Sequence, residues 1–99
     1  MRTFLLLSSL SPQGLQTLAA TPERLFEVNQ EIERLGGRVV KQWALLGAYD
    51  FLSVVEAPEA LTITKRTSEL ASRGSASFEV LAAIPVEELI ASLTESDAP

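Results

Sequence analysis

Tyr49 and Asp50 stand side by side in the segment Gly47-Ala48-Tyr49-Asp50, and Trp43 precedes them by half a hairpin. A carboxyl beside a phenol is a minimal acid–base pair. Asp50 would act as a general base where partial burial raised its pKa, and Tyr49 would donate a hydrogen bond to a substrate oxygen. The same residues also have a structural reading, which their types favour: Asp tolerates tight-turn geometry and bonds local amides, while Tyr packs its ring and leaves its hydroxyl wet. A lone Trp on a strand is first a packing or contact residue. The candidate ligand-binding set is therefore Trp43, Gly47, Tyr49 and Asp50, with Asp50 and Tyr49 the candidates for any catalysis.

Other chemistries lack their residues. The chain has no Cys and no His, which removes thiol nucleophiles, Ser-His-Asp relays, disulfides and soft-metal sites together. Ser8, Ser9, Ser75 and Ser77 have no basic partner to activate them. Glu27 with Glu31, and Glu87 with Glu88, have the look of solvated helix faces, and no third ligand accompanies either pair. Gly36-Gly37 follows a helix, where a phosphate cradle would precede one. No metal and no cofactor are expected.

Charge narrows the partners. Eight Lys and Arg are scattered among 13 Asp and Glu, for a net charge of −5, so no basic cluster is available for nucleic acid or an anionic membrane. The run Phe4-Leu5-Leu6-Leu7 after Arg2 is cut by Ser8-Ser9 and Pro12, and has the length of a strand rather than of a secretory leader. Nothing approaches the about 20 apolar residues of a membrane helix. The lack of Cys suits a reducing cytoplasm.

The elements that must position these residues follow from periodicity. Thr3 to Leu10 is a strand apolar on both faces, closed by Ser11-Pro12-Gln13-Gly14. A short helical turn carries Leu15, Leu18 and Ala19. Thr21-Pro22-Glu23 then supplies an N-cap, a first-position proline and a first-turn acid for a helix whose Leu25, Val28, Ile32 and Leu35 form one stripe. Gly36-Gly37 ends it. Arg38 to Leu46 and Phe51 to Glu56 are strands joined closely enough to be an antiparallel hairpin, the first of them at an edge. Ala57-Pro58-Glu59 opens a second helix, with Ala60, Ile63, Thr67, Leu70 and Ala71 toward the core, closed by Arg73-Gly74. Ser77 to Ile84 is the last strand, and Val86 to Leu93 a short amphipathic helix with Glu87 and Glu88 in its first turn.

That order is the ferredoxin-like β-α-β-β-α-β pattern of an α+β domain, expected over residues 1–93 with 94–99 a flexible tail. Right-handed crossovers place both main helices on one side of a four-stranded antiparallel sheet of order 4-1-3-2. Strand residues alternate between faces, so the helix-free face receives apolar side chains whichever register holds. Such a face needs a cover. Either a second copy supplies it, giving a homodimeric α+β barrel, or the C-terminal helix folds over its own sheet; the dimer, possibly within a higher oligomer, is the expected arrangement.

The segment Gly47-Ala48-Tyr49-Asp50 resembles the turn after which the GYD domain family is named. Thr21-Pro22-Glu23-Arg24, Leu35-Gly36-Gly37 and Val54-Val55-Glu56-Ala57-Pro58 look like that family's helix start, helix stop and strand exit. Ser11-Pro12-Gln13-Gly14 is similar to a family opening that usually has Thr where Ser11 stands. The likeness is close over residues 4–60 and looser beyond. It implies the same dimeric ferredoxin-like barrel and brings no activity with it. The expected function is that of a homodimer that binds a small apolar ligand or serves as a regulatory or assembly module. The alternatives are a cofactor-independent monooxygenase- or isomerase-like enzyme using Asp50 and Tyr49, and a purely structural oligomerisation protein.

Overall fold

The computed structural model describes residues 1–74 and 76–96. Its elements are β1 (Arg2–Leu10), α1 (Pro12–Ala20), α2 (Arg24–Arg34), β2 (Arg38–Ala44), β3 (Phe51–Ala57), α3 (Ala60–Ser72), β4 (Ala76–Ala83) and α4 (Val86–Ser96). One antiparallel sheet has the order β2-β3-β1-β4, the expected ferredoxin-like order counted from the other edge.

β1 is central because its alternate residues serve two faces. Phe4, Leu6 and Ser8 are buried under the helices, and Leu5 and Leu7 are half-buried on the opposite face. Phe4 and Leu6 join Ile32, Val55, Ala57 and Ile63 in the core, with Val28 and Val39 packed against it. Each fully buried aliphatic side chain contributes about 1.5–3 kcal/mol. The core lies wholly on the helix side of the sheet.

Several boundaries differ from expectation for identifiable reasons. The predicted short turn is a nine-residue helix, α1, capped by Ser11, whose Oγ accepts from the Gly14 amide at 3.0 Å. Because α1 runs through Ala20, the Thr21 amide donates to the Thr17 carbonyl and closes α1. Thr21 is thereby engaged as a C-cap, and α2 begins after a turn in which the Thr21 carbonyl accepts from the Arg24 amide at 3.0 Å. β2 ends at Ala44, short of Leu46, and the following loop is closed by the Leu45 amide donating to the Asp50 carbonyl at 2.8 Å. α4 continues past Leu93 to Ser96, and residues 97–99 of the expected tail lie outside the described residues.

A register shift between Val39 and Lys41 has a structural consequence. Val39 pairs with Val55, and Gln42 pairs with Ser53, both on the helix side; three residues apart on a regular strand, they would face opposite ways. The bulge at Val40 therefore turns Gln42 inward and sends Lys41 and Trp43 to the open face.

That open face carries Leu5, Leu7, Leu52, Val54, Leu81 and Trp43, as the pairings Lys41–Val54–Leu5–Leu81 and Trp43–Leu52–Leu7–Glu79 define it. α4 does not lie over it. Among the described residues α4 has no packing partner of more than marginal extent, and its stripe of Val86, Leu89, Ile90 and Leu93 is 53–62% exposed. The molecule measures 60 × 30 × 21 Å with a radius of gyration of 15.9 Å. A compact domain of this length would have about 13 Å.

Candidate functional site

The four expected site residues sit at one end of the sheet and along its open face, without converging on a pocket. Asp50 Oδ2 accepts from the Leu10 amide at 2.7 Å, and the Asp50 amide donates to the Ser8 carbonyl at 2.8 Å. Asp50 thus extends the ladder between β1 and β3 by one rung of side chain. The Tyr49 hydroxyl reaches past β1 and donates to Glu79 on β4. Its pKa is raised, because Glu79 accepts the phenolic proton and its charge repels a phenolate. Trp43 lies on the opposite edge strand, 44% exposed, with Lys41 Nζ 5.4 Å from its ring centroid. Gly47 is at the loop tip with a φ of +141° and open space where a side chain would stand.

The open face itself is a more coherent surface than that set. Its middle is apolar, its β2–β3 margin carries the Arg38–Glu56 ion pair at 3.1 Å, and Tyr49–Glu79 closes the far end. An apolar centre with a polar margin is the anatomy of a binding surface.

On the other side of the sheet is a cavity of about 170 Å³ between the strands and α1, α2 and α3. Its walls are mainly aliphatic and aromatic, with polar groups from Asn29, Gln42, Ser53, Thr67 and Arg66. Gln42 Nε2 donates to Asn29 Oδ1 at 3.1 Å and to Ser53 Oγ at 2.9 Å, and Asn29 Nδ2 donates back to Gln42 Oε1 at 2.7 Å. Thr67 Oγ1 donates to the Ile63 carbonyl at 3.0 Å. Arg66 is only 6% exposed. Its Nη1 donates to Glu69 at 3.1 Å, and its Nη2 is in ionic contact with Glu31 without an aligned hydrogen bond. The two acids account for the toleration of a guanidinium beneath the helices.

Sequence reasoning passed over Arg66, and over Asn29, Gln42 and Ser53 with it. A signal for Arg66 was present: Ile63, Arg66, Thr67 and Leu70 follow helical spacing, so an inward stripe through Ile63, Thr67 and Leu70 carries Arg66 inward too. Glu27 and Glu31, which looked like a solvated acidic face, are the partners of Arg24 and Arg66.

Fold and surfaces together define a ferredoxin-like α+β domain with one sheet face covered by helices and the other bare. The chain belongs to the GYD domain family, which matches residues 4–93. It is 54% identical over 94 residues, covering 94% of this chain and 99% of the relative, to a protein of Thermus thermophilus named glutamine synthetase and cystathionine beta-lyase binding protein. No solved structure matches the chain.

Proposed function

We propose that this chain is a non-catalytic binding module: a cytoplasmic homodimer, closed through the open sheet face, that docks on metabolic enzymes to regulate or assemble them. The observation that carries the proposal is the bare apolar face of Leu5, Leu7, Leu52, Val54, Leu81 and Trp43, which no helix among the described residues covers. Strands of seven to nine residues, set ~4.8 Å apart, make a face of roughly 25 by 20 Å. In projection that is about 500 Å², short of the about 800 Å² per partner of a stable dimer. The projecting α4 supplies a second apolar surface that can complete the contact by packing on the neighbouring copy.

The named relative supports enzymes as the further partners, and glutamine synthetase and cystathionine beta-lyase are the two to try first. Asp50, committed to the Leu10 amide, fits the role of a structural tie better than that of a base. Surface plasmon resonance with each enzyme from the same organism tests the reading. Saturable binding of either enzyme that leaves the chain's dimer mass intact supports it. Absence of binding to both, at tens of micromolar, overturns the partner assignment while leaving the dimer to be judged by mass.

A further inference from the structure

We propose that the cavity beneath the helices is a binding site for a small carboxylate with a compact apolar body, held by Arg66. The charge distribution points to an anion. The chain carries a net −5, yet Arg24, Arg66 and Arg73 all border this cavity and, among the described residues, no Asp or Glu side chain lines it. Arg24 and Arg66 have acidic partners that stand outside the lining, and Arg73 has no ion pair among the described residues.

Arg66 offers a specific fork. Its Nε is buried and has no polar partner, Nη2 is equally buried and is met only by Glu31, and Nη1 is occupied by Glu69. Nε and Nη2 form one edge of the guanidinium, the geometry that a carboxylate meets with two parallel bonds. Glu31 presses on Nη2 from α2 and so competes for that edge. The carboxylate of a bound ligand would take Nε and Nη2, and Glu31, 35% exposed, would turn to water.

The rest of the cavity selects the body. At about 170 Å³, it is close to the apolar cavity of about 150 Å³ that accommodates benzene. Leu6, Val28, Ile32, Phe51, Ile63 and Phe78 offer a ring or a branched alkyl chain apolar contact. A phosphate would leave most of its oxygens facing hydrocarbon, whereas a carboxylate has only two to satisfy. The site lies across the sheet from the open face and shares no lining residue with it.

The test is titration of the ¹⁵N-labelled full chain with phenylacetate and with its neutral counterpart 2-phenylethanol, followed by NMR. The expected result is saturable binding of one phenylacetate per chain, with shifts on α2, α3 and β1, and binding of the alcohol weaker by about tenfold or more. Arg66→Met should abolish that preference. Glu31→Gln should tighten phenylacetate binding, because the competing negative charge is gone; it decides the matter alone if the Arg66 variant does not fold. The proposal is overturned if acid and alcohol bind alike, if neither saturates, if the shifts fall on the open face, or if Glu31→Gln leaves affinity unchanged or weaker.

Discussion

The Asp50 carboxylate and the Leu10 amide lie 2.7 Å apart, joined by a hydrogen bond that spans forty positions of sequence and pins the β2–β3 loop to the corner where β1 gives way to α1. Leu10 is half-buried, and its amide loses this acceptor when the carboxylate is removed. Asp50→Ala is expected to destabilise the fold by about 1–3 kcal/mol, the cost of a stranded donor, and Asp50→Asn by less, since the amide oxygen still accepts. Urea denaturation of the three proteins gives the ranking. Equal midpoints for Asp50→Ala and the parent would refute the structural role.

The chain has a single tyrosine, so its phenolate absorbance reports Tyr49 without interference from another phenol. The midpoint should lie above the ordinary value near 10 because the Glu79 carboxylate accepts the proton and opposes the phenolate charge. A raised folded-state pKa means that the stabilisation from this pair is fully present below about pH 10 and disappears as pH climbs through the raised value. Glu79→Gln should bring the midpoint down and remove the alkaline loss. A midpoint indifferent to Glu79 would mean that the two side chains do not meet in solution.

Gly36 and Gly37 are adjacent but are required for different reasons, and alanine separates them. Gly36 has a φ of +89° with its nearest obstacle, Pro58 Cγ, at 3.8 Å, so Gly36→Ala meets backbone strain of about 1–2 kcal/mol. At Gly37 a Cβ would stand 2.9 Å from Ile32 Cγ2 and 3.3 Å from the Glu56 carbonyl oxygen. Backbone and a buried side chain cannot both yield, so Gly37→Ala overpacks the α2–β3 contact, at about 1–3 kcal/mol, and spreads outward to the core isoleucine. Thermal unfolding should show both variants less stable, with core methyl shifts displaced only in Gly37→Ala. Undisturbed Ile32 methyls in that variant would count against the close approach.

The hydrogen-bonded trio of Asn29, Gln42 and Ser53 stitches α2 to the sheet at the point where the Val40 bulge turns β2. Gln42→Ala strands polar groups on both partners, one of them on the buried Ser53. A loss of about 1–3 kcal/mol is expected. Combining it with Ser53→Ala should cost less than the sum of the two single changes, which a double-mutant cycle in urea will measure. Strict additivity would show that the trio does not act as a unit.

Much of the fold was legible in the sequence because local signals agreed with one another. The Leu run of β1, alternating across a strand with helices on one side, required both a core and a bare face, and Gly36-Gly37 and Ser11-Pro12 marked a helix stop and the end of a strand. What escaped depends on contacts between distant segments. Asp50 reads as local turn chemistry, yet its partner is Leu10. Thr21 carries a strong start signal, yet α1 engages it first. Gln42 turns inward only because of a bulge that no residue type announces, and Arg66 is buried by virtue of two acids on different helices. That α4 stands away from its own sheet is a tertiary fact with no local signature.

The uncovered side of the sheet is the proposed contact between copies, and sedimentation equilibrium of the full chain at micromolar concentration reads it directly. The 10.7 kDa chain should sediment at twice its mass, or a multiple of that, and Leu81→Asp, which places a charge on the β4 side of the apolar face without touching the helix-side core, should return it to a folded single copy. A parent chain that stays at 10.7 kDa, or a Leu81→Asp variant that associates as before, would contradict the assignment of that face as the contact between copies.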